Sequence, residues 1–240
     1  MACVITVAGF QAQSGKTTFA VNLAASFVME GYSCMLIDLA GTANASRALG
    51  VSINTGSLAA SAVLGGQASL KSVRVPTASG IDLVAGHPDI AIMVGTPDLA
   101  SKLLREQLDA VASDYHYVLL DCSGWLGPIE TVALAVAEQV VITYCPGQAG
   151  GRALPALPRL QQAYITGLLG IVANKVLPDW TAANTGANDE WGIGARHLGA
   201  IRYVPELPDM YWRGLPPVLL QPGAMFARDI QSIANCLAGI

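Results

Sequence analysis

The residues of this sequence best suited to chemistry are a Gly-Lys-Thr triplet at positions 15–17. When such a triplet opens a helix, backbone N–H groups at the helix N-terminus face the phosphates of a nucleotide, and the lysine reaches the β- and γ-phosphates. The threonine hydroxyl then coordinates Mg²⁺. We therefore expect a Mg²⁺–nucleotide site whose binding residues include Gln13, Ser14, Gly15, Lys16, Thr17 and Thr18.

The segments on either side of the triplet fit this chemistry. Residues 3–8 form a short, uncharged, β-branched run typical of a buried strand, and residues 17–29 repeat apolar side chains at helical spacing. A strand, a glycine-containing turn and a helix in this order are the architecture of a phosphate-binding loop. The chain departs from the strict loop pattern at Phe10, a position where the pattern requires glycine. The alternative interpretation is therefore a chance Gly-Lys-Thr at the start of a helix. The flanking strand and helix favour the nucleotide loop.

Two further predicted strands end in a carboxylate. Residues 33–38 end at Asp38, and residues 117–121 end at Asp121. In a parallel α/β sheet, ligands gather at the carboxyl ends of the strands, so we expect Asp38 to lie near the phosphates. Asp38 taken alone is also compatible with a simple turn former.

Strand and helix patterns continue along the rest of the chain. Strands are predicted at 71–75, 81–85, 140–144, 168–173 and 200–204, and helices at 57–64, 97–112, 129–137, from about 155–158 onward, and at 224–237. Residues 176–194 are rich in Asn, Asp, Gly and Thr and predict an irregular loop. The pattern predicts an α/β fold, with residues 1–240 forming a single domain around a mostly parallel, twisted sheet that has helices on both faces.

Composition excludes several classes of protein. Of the 240 residues, 52% are hydrophobic and 12% charged, which allows a well-buried core and a weakly charged surface compatible with self-association. Residues 1–150 carry 6 basic and 11 acidic side chains and residues 151–240 carry 7 and 6, so neither half is a basic nucleic-acid surface. No apolar run reaches the roughly 18 residues of a membrane span. The start leads straight into a strand, and five scattered cysteines form no metal-binding pair, so we expect no signal peptide and a cytoplasmic protein with reduced thiols.

Several segments resemble the ParA/MinD family of deviant-Walker P-loop ATPases. Residues 36–46 (LIDLAGTANAS) are similar to the family stretch LIDLDPQGNAS, and residues 17–25 (TTFAVNLAA) are similar to the helix after the family's phosphate loop. Residues 121–127 (DCSGWLG) resemble the family segment DCPPSLG, and residues 214–220 resemble its GKPVL stretch. The resemblance therefore reaches the start, middle and end of the chain.

The resemblance implies ATP and ADP as cofactors, with Mg²⁺, and gives individual residues roles. Asp38 matches the carboxylate that helps to position the attacking water, and Asp121 matches the Walker-B carboxylate that holds Mg²⁺ through a water. The expected metal residues are therefore Thr17, Asp38 and Asp121. Asn174 matches an asparagine that reads the adenine base, and Pro205 matches a proline that lines the base pocket.

The chain departs from the family inside the phosphate loop. The family reads Lys-Gly-Gly-x-Gly-Lys-Thr where residues 11–17 of this chain read QAQSGKT. The family's first lysine reaches the partner's phosphates across an ATP-bound dimer, whereas Gln11 offers only an uncharged amide that can donate hydrogen bonds. Gln13 brings a side chain to a dimer face where the family has glycine. The candidate catalytic residues are Asp38, Lys16 and Gln11, and we expect slow hydrolysis.

The implied function is a ParA-like switch for partition or intracellular positioning, with Mg²⁺·ATP-dependent homodimers and a small adaptor or centromere-binding protein as partner. The alternative is a nucleotide-binding regulator or scaffold of the same fold with little or no hydrolysis, which the glutamines at positions 11 and 13 motivate. A superfamily enzyme such as a ligase or reductase is a third class, without a substrate motif beyond the loop. Glu206 stands where DNA-binding members tend to carry arginine, so any DNA binding should be weak and non-specific. Residues 234–240 lack the basic charge of a membrane helix, and no membrane partner is expected.

Overall fold

An eight-stranded sheet lies at the centre of the computed structural model. Its strands are β1 (Cys3–Ala8), β2 (Cys34–Asp38), β3 (Arg74–Pro76), β4 (Asp82–Val84), β5 (Tyr117–Asp121), β6 (Gln139–Tyr144), β7 (Leu168–Val176) and β8 (His197–Arg202). They are ordered β3-β4-β2-β5-β1-β6-β7-β8, and every neighbouring pair is parallel except β3 and β4. The carboxyl ends of β1, β2 and β5 therefore lie side by side at one edge of the sheet.

The structure describes most of the chain, namely residues 1–9, 11–53, 59–93, 96–122, 124, 127–146, 167–178, 180, 195–211 and 213–238. Three sequence predictions fall wholly or partly outside these ranges. They are the first residues of the helix at 57–64, the helix from about 155–158 onward, and most of the loop at 176–194.

The helices cover both faces of the sheet. Within the described ranges they are α1 (Lys16–Met29), α2 (Asn44–Ala48), α3 (Ala60–Leu64), α4 (Leu70–Val73), α5 (Ile90–Met93), α6 (Pro97–Val111), α7 (Pro128–Val136), α8 (Leu207–Tyr211), α9 (Pro217–Leu220) and α10 (Met225–Ala238). Helices α1 and α10 pack in one hydrophobic cluster, and α3, α6 and α7 pack in the cluster on the opposite face. None of these helices is long and apolar enough to cross a membrane.

Strand β1 shows how the sequence builds both layers. Successive side chains of a strand point to opposite faces, so Ile5 and Val7 join the cluster with α1, whereas Val4 joins the cluster with α6. A central parallel strand is covered on both faces and is consequently an almost uninterrupted apolar run. The predicted fold class, a mostly parallel sheet with helices on both faces, is confirmed.

Two predicted strands are wrong in part. Residues 71–75 were expected to be extended, but residues Leu70–Val73 form α4, and β3 begins only at Arg74. The cause is a local cap: the Ser69 hydroxyl accepts a hydrogen bond from the Ser72 backbone N–H, and the Ser72 hydroxyl accepts one from the Ser69 backbone N–H. The last strand runs over His197–Arg202 rather than 200–204, because its pairing with β7 already begins at His197.

All five cysteines are free thiols in this structure. Cys34, Cys122 and Cys145 are buried, and Cys3 and Cys236 are half-buried. Within the described ranges no three His, Cys, Asp or Glu side chains gather in a group that could hold a metal ion.

Candidate nucleotide-binding site

The phosphate loop joins β1 to α1 and is held in an unusual backbone conformation. Gly15, the N-cap of α1, has a φ of 84°, and Gln13 has a φ of 61°. A side chain on Gly15 would also collide with the amide of Asn174. Glycine is thus required at position 15 both by its backbone angle and by the close approach of Asn174.

The ammonium group of Lys16 is folded back onto its own loop. Its Nζ donates a hydrogen bond of 2.8 Å to the Gln11 carbonyl, and only 4% of the residue is exposed. Burial lowers the pKa of Lys16, and the nearby Asp121 carboxyl opposes that shift. A phosphate oxygen would be a stronger, charge-assisted acceptor for this ammonium than the neutral carbonyl.

Asp38, at the end of β2, is fully buried and accepts three hydrogen bonds. Its Oδ1 accepts from the Ala40 N–H at 3.0 Å, and its Oδ2 accepts from the N–H and the hydroxyl of Ser46 at 2.9 and 2.8 Å. The Ser46 hydroxyl in turn accepts from the Gly86 N–H at 3.0 Å. Burial raises the pKa of Asp38, and the hydrogen bonds from Ser46 and Ala40 oppose it. Asp38 therefore fastens the start of α2 to the end of the sheet.

Asp121 faces a different environment at the matching position of β5. It is the direct register partner of Asp38 and is equally buried, yet neither carboxylate oxygen accepts a hydrogen bond from the residues that the structure describes. Burial and the Asp38 carboxyl raise the pKa of Asp121 well above its usual range, and the nearby Thr17 hydroxyl and Lys16 ammonium oppose this. An orphaned buried carboxylate beside a hydroxyl is an all-oxygen donor set that suits Mg²⁺.

A further acid, Glu130, orders the loop after Asp121. Its Oε1 accepts from the Gly124 N–H and its Oε2 from the Gly127 N–H, both at 3.0 Å, and the residue is 7% exposed. Sequence reasoning missed this residue. The available signal was its place at the third position of α7, where an acid commonly bonds back to the backbone ahead of the helix.

Two neighbouring cavities open along the loop. One, of about 260 Å³, is lined by Gln13, Gly15, Lys16, Thr17, Thr18, Asn44 and Lys175. The other, of about 310 Å³, is lined by Thr18, Asn174, Lys175, Arg202, Tyr203, Val204, Leu207 and Tyr211. The first has the loop residues that would face phosphates, and the second has the mixed apolar and polar lining that would suit a base. Thr18 and Lys175 belong to both cavities.

Most of the predicted site residues meet at this place. Asn174 lines the second cavity, and its Nδ2 donates to the Ser14 carbonyl at 3.1 Å. The Ser14 hydroxyl is buried against the Thr143 hydroxyl at 3.1 Å, beneath the loop. Pro205 is exposed and is not among the lining residues, although its neighbour Val204 is. Gln11 contributes its backbone carbonyl to Lys16.

Comparison of the sequence with known proteins shows which proteins share these features. A family profile described as an AAA domain matches residues 2–163. The chromosome partitioning protein ParA of Caulobacter vibrioides is 30% identical over 145 residues, which cover 58% of this chain and 54% of that protein. The chromosome-partitioning ATPase Soj of Thermus thermophilus is 33% identical over 142 residues, which cover 58% and 53%. This chain thus matches about half the length of these curated relatives.

Solved structures are similar over the whole chain. The septum site-determining protein MinD of Pyrococcus horikoshii, complexed with Mg-ADP, has a TM-score of 0.83 at 21% identity and covers 99% of this chain and 96% of its own. Cobyrinic acid a,c-diamide synthase of Mycobacterium smegmatis, with bound ADP and magnesium, has a TM-score of 0.77 at 19% identity, with coverage of 99% and 94%. At these identities the likeness establishes the fold.

Proposed function

The chain belongs to the ParA/MinD family of P-loop ATPases, and from that premise we propose that it is a Mg²⁺·ATP-dependent switch for partition or intracellular positioning. The observation that carries the nucleotide-binding part is the buried carboxylate of Asp121, whose oxygens accept no hydrogen bond of ordinary geometry from the described residues and lie near the Thr17 hydroxyl and the Lys16 ammonium. The positioning part rests on the similarity to ParA and Soj proteins.

The site residues divide the work as follows. Lys16 would exchange its bond to the Gln11 carbonyl for one to a β- or γ-phosphate oxygen, which costs little because the ammonium is already desolvated. Thr17 and Asp121 would hold Mg²⁺, and the bound ion would neutralise phosphate charge. Asp38 would direct the attacking water, for which its present bonds to Ser46 must loosen. Asn174 and the 310 Å³ cavity would hold the base.

Hydrolysis should be slow in this chain. A cation supplied to the transferring phosphate from a second chain is worth about 10³–10⁵ in rate in nucleotide hydrolases, and Gln11 cannot supply it. We also propose that ATP brings two copies together across the phosphate loops, with polar contacts from Gln13 in place of the lysine, and that a small adaptor protein reads this dimer. DNA would bind weakly and lose affinity steeply with salt.

A regulator or scaffold with little or no hydrolysis is the second candidate, and the uncharged side chain at Gln11 favours it. Both candidate functions require nucleotide binding, and they differ in whether the protein hydrolyses ATP. Replacing Asp38 with alanine should lower turnover while leaving ATP affinity nearly unchanged in the switch, because such a residue acts chiefly in the transition state. Wild-type protein that binds ATP tightly without turnover would favour the scaffold.

Calorimetry tests the shared part of the proposal. Wild-type protein should bind Mg²⁺·ATP and Mg²⁺·ADP, and Lys16→Ala should abolish most of the binding. Lys102→Ala is the matched control, because Lys102 is an exposed lysine on α6 outside both cavities. Unchanged affinity in Lys16→Ala would contradict the proposal. Sedimentation with ADP and with a non-hydrolysable ATP analogue then tests the nucleotide-dependent dimer.

A further inference from the structure

Lys175 reaches the phosphate loop from a different strand of the sheet. It lies near the end of β7, and its Nζ donates a hydrogen bond of 2.9 Å to the Gln13 carbonyl. The preceding residue, Asn174, donates its Nδ2 to the Ser14 carbonyl at 3.1 Å and accepts the Lys175 N–H at 2.8 Å. Two consecutive residues of β7 therefore hold two consecutive carbonyls of the loop.

Both partners of the Lys175–Gln13 bond have strained backbones. Gln13 has a φ of 61° and Lys175 a φ of 58°, in the left-handed region that residues with a side chain rarely adopt. Such strain persists only where the surrounding structure imposes it, and it is concentrated at ligand sites. The hydrogen bond links the two strained residues directly.

A β-bulge at Lys175 explains how the side chain is aimed. Asn174 pairs with Ile201 and Val176 pairs with Arg202, so the register between β7 and β8 shifts at Lys175, which has no partner of its own. Bulges insert one residue into a strand and redirect its side chain, often beside active sites. Here the bulge places Lys175 in the lining of both the 260 Å³ and the 310 Å³ cavities.

The other two cations that line these cavities are engaged elsewhere. Arg202 makes paired hydrogen bonds to the Asp229 carboxylate at 2.6 and 2.7 Å. Lys16 donates to the Gln11 carbonyl. The ion pairs found among the described residues do not include Lys175. The Lys175 ammonium therefore contacts the phosphate loop, through the Gln13 carbonyl, rather than a carboxylate of the described ion pairs.

We infer that Lys175 is a positioning residue of the nucleotide site, which holds the phosphate loop in its binding conformation through the Gln13 carbonyl. It also places on the loop, from within the same chain, a positive charge that Gln11 does not provide. The inference rests on the proposed function, since the ligand is the polyphosphate of a Mg²⁺-bound nucleotide. It means that the affinity of a single chain for polyphosphate depends on Lys175.

The test compares Lys175→Met with wild-type protein against two probes, Mg²⁺·ADP and Mg²⁺·tripolyphosphate, by calorimetry. Methionine keeps an unbranched apolar stem of similar length and removes only the ammonium. We expect both affinities to fall by about tenfold, the scale of one hydrogen bond from a charged donor. Lys175→Arg should restore most of the loss, and Lys102→Met on the surface of α6 should change neither affinity.

Lys175→Gly separates positioning from a role in folding alone. Glycine adopts a φ of 58° without strain, so a residue kept only for the fold would be replaced with unchanged affinity. We expect Lys175→Gly instead to lose affinity for both probes, like Lys175→Met. Urea unfolding without nucleotide should show each variant folded under the conditions of calorimetry.

The outcomes are distinct. Lys175→Met that binds both probes like wild-type protein overturns the inference and leaves the proposed function standing. A loss for Mg²⁺·ADP alone, with Mg²⁺·tripolyphosphate unaffected, also overturns it, because the residue would then act on the base rather than on the loop. Wild-type protein that binds neither probe refutes the proposed function and the inference together.

Discussion

Replacing two matched carboxylates with amides should change the stability of the nucleotide-free protein in opposite directions. Asp38 and Asp121 are register partners on β2 and β5, and both are fully buried. Asp38 accepts three hydrogen bonds, whereas Asp121 accepts none from the described residues. We therefore expect Asp38→Asn to destabilise the protein and Asp121→Asn to stabilise it.

The size of each effect follows from the local contacts. Burial raises the pKa of Asp121 above its ordinary value of 3.8. At pH 7.5 the free-energy cost of burying this carboxyl cannot exceed the cost of protonating it, which is about 5 kcal/mol at 1.36 kcal/mol per pKa unit. Asparagine removes that penalty but still buries an unpaired amide at roughly 1–3 kcal/mol, and Lys16 loses one attractive charge. We expect a net gain of about 1–3 kcal/mol. Asp38→Asn gains less from relief of burial, because the hydrogen bonds from Ser46 and Ala40 already oppose the rise in its pKa, and an NH₂ group that meets N–H or O–H donors should cost about 1.5–3 kcal/mol.

Urea unfolding followed by circular dichroism measures both variants at pH 7.5 with a chelator present. In a parallel series without the chelator, Mg²⁺·ADP at 100 times its Kd should stabilise wild-type protein by about 2.7 kcal/mol. Asp121→Asn should gain much less, because it lacks the carboxylate that would hold Mg²⁺. The difference in unfolding free energy between Asp121→Asn and wild-type protein should therefore become smaller or change sign when the ligand is added.

Two results would refute this reasoning. The first is an Asp121→Asn protein that is less stable than wild type without Mg²⁺, which would mean that the carboxylate has donors after all. The second is a shift of the same sign in both variants, which would mean that burial alone, and not hydrogen bonding, decides the outcome. The slopes of the unfolding curves must agree among the proteins for the comparison to hold.

Two further predictions concern positions away from the phosphate loop. Burial lowers the pKa of His197 from 6.5, and its Nε2 lies 3.3 Å from the Tyr144 hydroxyl. The unfolded chain then binds more protons, so this contribution to stability is present above about pH 6.5 and is lost as the pH falls through the folded-state pKa. His197→Gln should flatten the dependence of the unfolding free energy on pH in that range. Glu130→Ala leaves the half-buried N–H groups of Gly124 and Gly127 without this acceptor and should cost about 1–3 kcal/mol in urea unfolding, whereas Glu130→Gln should cost less.

The sequence was sufficient for the fold wherever a segment's own pattern decides its structure. The buried strands and the long helices α1, α6 and α10 have strong periodicity and lie close to their predicted bounds. The strand prediction for residues 71–75 was wrong because Ser69, which lies before that segment, caps a helical turn. The last strand was misplaced because its start is set by pairing with β7, a contact between distant segments that local pattern does not contain.

The candidate site shows the same division. The meeting of Lys16, Asp38 and Asp121 was predictable, because parallel strands bring their carboxyl ends to one edge of the sheet. The contribution of Lys175 was not, since it depends on a register shift between β7 and β8 and on a reach of 162 positions along the chain to Gln13. Position after Asn174 was its only mark in the sequence.

The contrast between Asp38 and Asp121 arises from the residues that follow each strand. After β2 the chain turns through Ala43, with a φ of 49°, and brings the N–H and hydroxyl of Ser46 back onto Asp38. After β5 the backbone N–H groups of Gly124 and Gly127 instead donate to the buried carboxylate of Glu130. The oxygens of Asp121 have no hydrogen-bond partner among the described residues. The two acids therefore differ in role: Glu130 orders the backbone after β5, and Asp121 is the carboxylate that we propose for Mg²⁺.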